Sequence, residues 1–333
     1  MFGFLLYAVA LIQPEPDLIA KSKVLFKPGA WTEYSSSVPN YCWINSQEVL
    51  YSVGQGISIP YSEPPWYRLN IRNLDSHELT GLKMNTPNLE MYSSPLPNPQ
   101  GTKVLWSAYR KGSGTKWVVT KLDGSLIDFW SRKAVAMIAS AAGQDQSWDE
   151  WSLDGNSIFE SESKFENGKL GLHVWRRALS GPSNENAYRI LEVQSKPDRR
   201  ATVFDLGNGN AAWIEQQYAD RLTQEVIVHW PLRTPAAARK FSFPVTNNWG
   251  FSSPVVSPDR KRVLWEEWNR SVPSVSLWVS HMDFSDFHEI GVVKLDQERA
   301  AHGEPGFGEV HWIPGQLAAS YYFNGNVREV EID

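Results

Sequence analysis

The chain repeats itself with a period near 54 residues. In each copy, a turn-forming cluster rich in Asn, Asp, Pro or Gly is followed by a short apolar run. Successive runs begin 55, 54, 53, 52 and 55 residues apart, which is too even a spacing to arise by chance. A repeat of this length predicts a fold in which one small unit packs against its neighbours several times over. The runs begin at Val49, Val104, Ile158, Ala211, Val263 and Ala318.

Each copy carries the pattern of several short strands. A second stretch follows each of the first five runs, with alternating residues of which Trp117–Val119 and Leu277–Val279 are examples. Period-two alternation is typical of strands, and turn signals such as Asp123–Gly124 separate the pieces. No stretch has the periodicity and caps of an amphipathic helix. Four short strands per repeat are typical of a propeller blade. We therefore predict an all-β fold, a six-bladed β-propeller with four-stranded antiparallel blades.

The two ends of the chain complement each other. The sixth copy has room for three strands, and the N-terminal segment 18–27, which contains Val24–Phe26, has no copy of its own. An exposed strand edge promotes aggregation, so both ends gain if they pair. We expect the N-terminal strand to complete the last blade and close the ring, which makes residues 17–333 a single domain.

The first residues form an apolar leader. Residues 1–12 are nearly all apolar, and the run is too short to span a bilayer, which needs about 20 such residues. Ala8–Ala10 has the small-residue pattern of a signal-peptide cleavage site, although no Lys or Arg precedes it. We predict that residues 1–16 are a signal peptide of a periplasmic or extracellular protein. An apolar N-terminal strand in a cytoplasmic protein is the alternative.

Two segments resemble a known repeat signature. Residues 253–265 (SPVVSPDRKRVLW) and 151–159 (WSLDGNSIF) are similar to the repeats of TolB-like and WD-like propellers, and residues 43–47 match more loosely. In that signature a Ser-Pro-Asp-Gly turn links the innermost strand of a blade to the second one. Its Asp accepts backbone N–H groups and its Gly supplies a positive φ. The resemblance implies an interaction scaffold, which in this family is often periplasmic.

Motifs for catalysis, metals and nucleic acids are missing from the sequence. It contains no Gly-x-Ser-x-Gly elbow, no glycine-rich phosphate loop after a strand and no calcium-loop spacing. The net charge of −5 argues against a nucleic-acid partner. Cys42, the only cysteine, is predicted to be a buried small hydrophobe. We therefore predict no cofactor and no metal site. The candidate metal-ligating histidines are His173, His229 and His281, which fall at different offsets on third strands and would not converge, and His302 and His311 near the sixth copy.

The segments that lead into the innermost strands are the candidate binding loops, because in a propeller they surround one mouth of the central channel. They combine tryptophan, acidic residues and a double arginine, which suits a peptide, a partner loop or a sugar. The competing interpretation is that each tryptophan packs between blades. The predicted ligand-binding residues are Trp31, Tyr34, Trp148, Asp149, Arg199, Arg200, Asn248, Trp249 and Glu304.

Two functions remain open on the sequence alone. The first is a non-catalytic scaffold that binds a protein or peptide, with Arg199 and Arg200 orienting a carboxylate of the ligand. The second is a carbohydrate-binding or glycoside-cleaving propeller with two carboxylates at the channel mouth. Its acids would be Asp149 or Glu150, paired with Glu33 or Glu304.

Overall fold

The chain is built almost entirely from strands. A computed structural model describes residues 17–27, 41–54, 67–82, 91–110, 114–131, 147–166, 169–179, 187–195, 200–207, 210–218, 223–229, 239–244, 254–269, 272–283, 285–296 and 306–333. These residues form one helical turn, α1 (Leu18–Lys21), and 24 strands. The strands are β1 (Ser22–Phe26), β2 (Tyr41–Trp43), β3 (Glu48–Gly54), β4 (Tyr67–Asn73), β5 (Leu79–Leu82), β6 (Met91–Pro97), β7 (Lys103–Arg110), β8 (Gly114–Lys121), β9 (Leu126–Ser131), β10 (Ser147–Trp151), β11 (Ser157–Glu166), β12 (Lys169–Ala178), β13 (Ala187–Ser195), β14 (Arg200–Gly207), β15 (Asn210–Tyr218), β16 (Thr223–His229), β17 (Arg239–Pro244), β18 (Val255–Val256), β19 (Arg262–Asn269), β20 (Ser274–His281), β21 (His288–Lys294), β22 (Phe307–Trp312), β23 (Ala318–Phe323) and β24 (Asn326–Glu331).

Within the described residues, the strands form six antiparallel sheets of four strands each. Sheets 1 to 5 take four consecutive strands apiece, from β2–β5 to β18–β21, and sheet 6 consists of β22, β23, β24 and β1. The first residue of every apolar run in the sequence lies in the second strand of a sheet. The predicted all-β fold with four-stranded antiparallel sheets is confirmed.

The N-terminal segment joins the beginning of the chain to its end. Strand β1 pairs antiparallel with β24, with Ser22 opposite Val330, and this is the pairing that the sequence predicts. Residues 18–21 differ from a strand because the Asp17 carboxylate accepts the backbone N–H of Ile19 at 2.9 Å and caps a helical turn.

Side chains of the N-terminal segment fasten it to sheets 5 and 6. The Ser22 hydroxyl accepts hydrogen bonds from the Tyr321 hydroxyl and from Arg328 Nε, both at 2.8 Å. Lys21 Nζ donates to the Ile290 carbonyl of sheet 5 at 2.9 Å. Leu18 is fully buried in the core that sheets 5 and 6 share. The segment is therefore an integral part of both sheets.

Tryptophans hold neighbouring sheets together. Trp151 at the end of β10 donates its indole N–H to the Leu96 carbonyl of sheet 2 at 2.7 Å. Trp312 at the end of β22 makes the same contact with the Val255 carbonyl of sheet 5, also at 2.7 Å. These contacts support the interpretation of tryptophans as staples between blades, here for side chains at the ends of the innermost strands.

The contact between sheets 1 and 6 uses the same position with a different acceptor. Trp43 ends β2, and its indole N–H donates to the buried Ser320 hydroxyl at 2.7 Å. The Tyr41 hydroxyl donates to the same oxygen at 3.0 Å. Cys42 between them is buried, as predicted, and packs against Trp106 of sheet 2. Within the described residues, no helix has the length and apolar character needed to cross a bilayer.

Candidate functional site

The turn between β18 and β19 contains a non-glycine residue, Arg260, with a positive φ. The Ser257 hydroxyl donates to the Asp259 carboxylate at 2.6 Å and accepts the backbone N–H of Arg262 at 2.9 Å. The Arg260 N–H donates to the Ser257 carbonyl at 2.8 Å, which closes the turn. These bonds hold Arg260 at a φ of 58°, in the left-handed region that favours glycine.

The Arg260 side chain extends from sheet 5 to sheet 3. Its Nη2 lies 3.3 Å from Glu150 Oε2 and donates to the Trp151 carbonyl at 3.2 Å. Glu150 and Trp151 end β10, the first strand of sheet 3. We call these three residues the Arg260 bridge. It links two sheets that are separated along the chain by all of sheet 4.

The charges of the Arg260 bridge are largely removed from water. The Arg260 side chain is 7% exposed, and Glu150 retains 22% exposure. Burial raises the pKa of Glu150 above its ordinary value, although the Arg260 charge and hydrogen bond act in the opposite direction. The contact uses a single guanidinium nitrogen, whereas a strong Arg–carboxylate pair uses two parallel bonds. Glu150 is therefore held in place without being well solvated or ideally paired.

The equivalent turns of sheets 2 and 3 contact each other directly. Gln100 Nε2 donates to the Leu153 carbonyl at 2.7 Å, and Lys103 Nζ donates to the Gly155 carbonyl at 2.8 Å. Gly155 has a φ of 65°, and a Cβ there would overlap the side chains of Gln100 and Asn98. The turns that follow the first strands of sheets 2 and 3 thus contact each other closely.

The far end of sheet 5 carries two tryptophan–glutamate pairs. Trp268 Nε1 donates to Glu266 at 3.0 Å, and the Trp268 ring meets Phe307 edge to face, with ring centroids 6.0 Å apart. On the other face of the sheet, Trp278 Nε1 donates to Glu267 at 3.1 Å. Burial raises the pKa of Glu267, and the nearby negative charge of another glutamate adds to this shift. Acidic and aromatic groups therefore come together beside the start of β22.

Three of the predicted binding residues lie on the first strands of sheets 3 and 4. Trp148 and Asp149 lie in β10, and Arg200 is the first residue of β14, so all three lie within strands and not in the loops that lead into them. Strands β10 and β14 contact each other. The three residues therefore lie on two strands that contact each other. The predicted residues that lie outside the described part of the chain are Trp31, Tyr34, Arg199, Asn248, Trp249 and Glu304, together with Glu33 of the alternative acid pair.

The histidines occupy the strands that the sequence assigns to them. His173, His229 and His281 lie in β12, β16 and β20, which are third strands of their sheets. His311 lies in β22, and His302 is outside the described residues. Among the residues that the structure describes, no three His, Cys, Asp or Glu side chains are grouped as metal ligands.

Sequence reasoning missed the Arg260 bridge. It treated Glu150 only as a possible partner for Glu33 or Glu304, whereas the structure places the Glu150 carboxylate against Arg260. The available signal was the residue after Asp259, where the repeat signature has glycine and this chain has arginine.

Comparison with known proteins identifies solved structures of similar fold. No protein-family model and no curated protein matches the chain. An uncharacterised protein of Listeria monocytogenes matches at a TM-score of 0.51 and 8% identity, over 92% of this chain and 98% of that one. This chain has the same fold. The likeness extends over nearly all of both chains.

Two TolB structures also match. A putative TolB of Agrobacterium tumefaciens has a TM-score of 0.47 and 11% identity, over 78% of this chain and 81% of that one. TolB of Acinetobacter baumannii has a TM-score of 0.47 and 12% identity, over 86% of this chain and 64% of that one. The chain thus resembles both TolB structures over most of its length.

Proposed function

We propose that the chain is a six-bladed β-propeller, closed into a ring by β1, that acts without catalysis as a scaffold for a protein or peptide. The ligand binds at the channel mouth where the innermost strands begin. The observation that carries this proposal is the contact between β10, which contains Trp148 and Asp149, and β14, which begins at Arg200. An aromatic ring, a carboxylate and a guanidinium on adjacent strands suit a peptide, which offers apolar side chains and charged termini.

Contacts between the first and last sheets support ring closure. Strands β2 and β22 contact each other, and Ser320 of sheet 6 accepts hydrogen bonds from Tyr41 and Trp43 of sheet 1. A ring of six sheets directs its innermost strands toward a common axis, and their starting ends surround one opening. The predicted leader of residues 1–16 would direct the protein to the periplasm or the cell exterior, and there it would meet its partner.

The binding proposal is tested by selection of peptides on the protein. A phage-displayed library of random peptides is enriched on the wild-type chain, and the selected peptides are then measured against the double variant Trp148→Ala/Arg200→Ala. We expect affinity to fall at least about tenfold, because an aromatic contact and a charge-assisted bond are both lost. The matched control is Lys261→Ala, a 75% exposed side chain in the turn at the other end of an innermost strand. Unchanged binding by the double variant would reject the proposed mouth.

Ring closure is tested separately by unfolding. Phe26 of β1 is 4% exposed and packs with Tyr41 of sheet 1, with ring centroids 6.3 Å apart. We expect Phe26→Ala to lower the stability of the whole protein in one cooperative transition, by about 3 kcal/mol. Val272→Ala, at a side chain that is 59% exposed, is the neutral control. A biphasic transition in which sheets 2 to 5 keep their wild-type stability would contradict a closed ring.

A further inference from the structure

We propose that two copies of this chain form a dimer by exchanging β1, so that each copy supplies the fourth strand of sheet 6 in the other. The partner is identified by the place that β1 occupies beside β24, where the surrounding side chains specify the residues of β1 one by one. A second copy of the chain carries those residues in the same order. The inference rests on the pairing of β1 with β24 and does not depend on peptide binding.

The hydrogen bonds of the N-terminal segment are the first observation. The Tyr321 hydroxyl donates to Ser22 Oγ at 2.8 Å, and Arg328 Nη2 donates to the carbonyl groups of Ile19 and Ser22, each at 3.2 Å. The partners in these bonds are 299 to 309 residues apart in the chain. Every one of the bonds therefore forms equally well when the segment comes from another copy.

Two buried side chains anchor the two ends of the segment. Leu18 is 0% exposed in the core that sheets 5 and 6 share, and Phe26 is 4% exposed among buried residues of sheets 1 and 6. Burial of large apolar side chains is the main source of stability for such a contact, and it does not depend on which copy supplies them. The place beside β24 thus binds the segment by its own side chains.

The connection from β1 to β2 is the second observation. The rings of Phe26 and Tyr41 are close together, with centroids 6.3 Å apart, although residues 27–40 separate them in the sequence. A segment of that length can extend over about 46 Å, which is several times the gap that it has to cross. Tyr41 can therefore remain in sheet 1 of its own copy while Phe26 enters sheet 6 of the other.

The position of β1 in its sheet is the third observation. Sheet 6 has the order β1-β24-β23-β22, and β22 is the strand that contacts sheets 1 and 5. Strand β1 lies at the opposite edge, so its exchange displaces no other strand of the sheet. Exchange of an identical edge element is a low-cost route to a closed dimer, because no new interface has to be built.

Concentration decides between exchange and closure within one chain, since both forms make the same contacts. A strand tethered to its own sheet competes with an effective concentration on the order of 1 mM. The dimer is therefore the product of chains that fold close together, and the monomer is the product at high dilution.

The test places one half of a disulfide on each of two chains. Lys23 lies opposite Glu329, with Nζ 3.1 Å from Oε1, and one variant carries Lys23→Cys while the other carries Glu329→Cys. Cys42, the only natural cysteine, is buried. The two variants are mixed unfolded, refolded together, oxidised and separated by non-reducing electrophoresis. We expect about 5% of the chains in a covalent heterodimer at a total concentration of about 0.1 mM, and about tenfold less at about 10 µM.

Two controls assign the covalent dimer to strand exchange. The double variant Lys23→Cys/Glu329→Cys should form its disulfide within a monomer, because paired strands bring the two positions within disulfide distance. The two single variants mixed after each has folded should give at least about tenfold less heterodimer, because the strands are then already in place. Equal yields from the folded and the co-refolded mixtures would overturn the inference, since collision at the exposed position 23 would explain them.

The wild-type chain gives a test that needs no variant. After refolding at about 0.1 mM, sedimentation should show a minor dimer, and unfolding and refolding at about 1 µM should return it to monomer. A wild-type protein that stays wholly monomeric after refolding at about 0.1 mM would overturn the inference, whatever the cysteine variants show. A wild-type dimer without any heterodimer cross-link, when the double variant does cross-link, would also overturn it, because the copies would then associate through another surface.

Discussion

The turns at residues 152–156 and 257–261 share one hydrogen-bond pattern and differ in one decisive residue. In each turn a serine hydroxyl donates to the aspartate two residues later and accepts the backbone N–H five residues later. The third residue after the serine donates its N–H to the serine carbonyl, at 2.9 Å for Gly155 and 2.8 Å for Arg260. Two short pieces of sequence thus specify the same backbone with different residues at the strained position.

The difference shows that the same φ is used for two purposes. At Gly155 the absence of a side chain makes room for Gln100 and Asn98 of the neighbouring sheet. At Arg260 a side chain is present and reaches Glu150 of sheet 3. One turn therefore gives up a side chain to pack against the next sheet, and the other accepts backbone strain in order to place a charge.

The largest expected effect distinguishes the cost of a positive φ from the cost of side-chain overlap. Gly155→Ala adds a Cβ at a φ of +65° and displaces Gln100 and Asn98, whereas Gly315→Ala adds one at +75° with nothing within 4 Å. We expect Gly155→Ala to lower the free energy of unfolding by about 3 kcal/mol and Gly315→Ala by about 1 kcal/mol. Urea unfolding of both variants measures the difference. Equal losses would mean that φ alone explains the glycine at Gly155.

The next effect concerns the buried pair. Glu150→Ala removes the carboxylate that contacts Arg260 at 3.3 Å, so we expect a loss of about 2 kcal/mol, reduced from the value for a fully buried pair because Glu150 is partly exposed. The control is Glu331→Ala, at an exposed glutamate in β24. A stability equal to that of the control would show that the Arg260 bridge does not contribute to folding.

The effect of replacing Arg260 should be smaller and should depend on whether Glu150 is present. Arg260→Gly relieves about 1 kcal/mol of backbone strain but removes the partner of Glu150, so in the wild-type protein the net change should lie within about 1 kcal/mol of zero. In the Glu150→Ala background there is no Glu150 contact to lose, so Arg260→Gly should be stabilising by about 1 kcal/mol. A double-mutant cycle followed by urea unfolding measures both values. Stabilisation of the same size in both backgrounds would deny any coupling.

The smallest effect depends on pH. The hydrogen bond from the Ser152 hydroxyl, with help from the Asn156 N–H, lowers the pKa of Asp154. A lowered pKa in the folded state gives stability that is present above the ordinary pKa of aspartate and is lost as pH falls through the lowered value. Asp154→Asn should therefore reduce stability by about 0.5 kcal/mol at pH 7, because solvent screens this exposed group, and by less at pH 2. A loss independent of pH would contradict this assignment.

Local patterns explain why much of the fold was predictable. Alternating residues and turn clusters act over a few positions, so the second strands beginning near Val49 and Val263 and the turn at Asp259 follow from sequence alone. The pairing of β1 with β24 followed from counting strands at the two ends. The helical turn α1 was missed because its apolar residues were read as part of a strand, although the capping residue Asp17 precedes it.

The candidate site was harder to predict for a physical reason. Arg260 and Glu150 are 110 residues apart in the chain, and no local rule places one beside the other. The repeat pattern predicted Trp148 in the segment that leads into the first strand of its sheet, and the structure places it within that strand, β10. Whether Trp148 contacts a ligand depends on side chains from several loops. The repeat spacing of the sequence carries no information about how those loops meet.

The pairing of β1 with β24 has a consequence for how the protein is made. Ser22 and Tyr321, which are hydrogen-bonded in the finished molecule, are 299 residues apart in the chain. Ribosomes add roughly 5 to 20 residues per second, so the N-terminal strand waits roughly 15 to 60 seconds for its partner to be synthesised. During that interval sheets 1 to 5 can form in order, while sheet 6 cannot. The final step of biogenesis therefore joins the oldest part of the polypeptide to the newest.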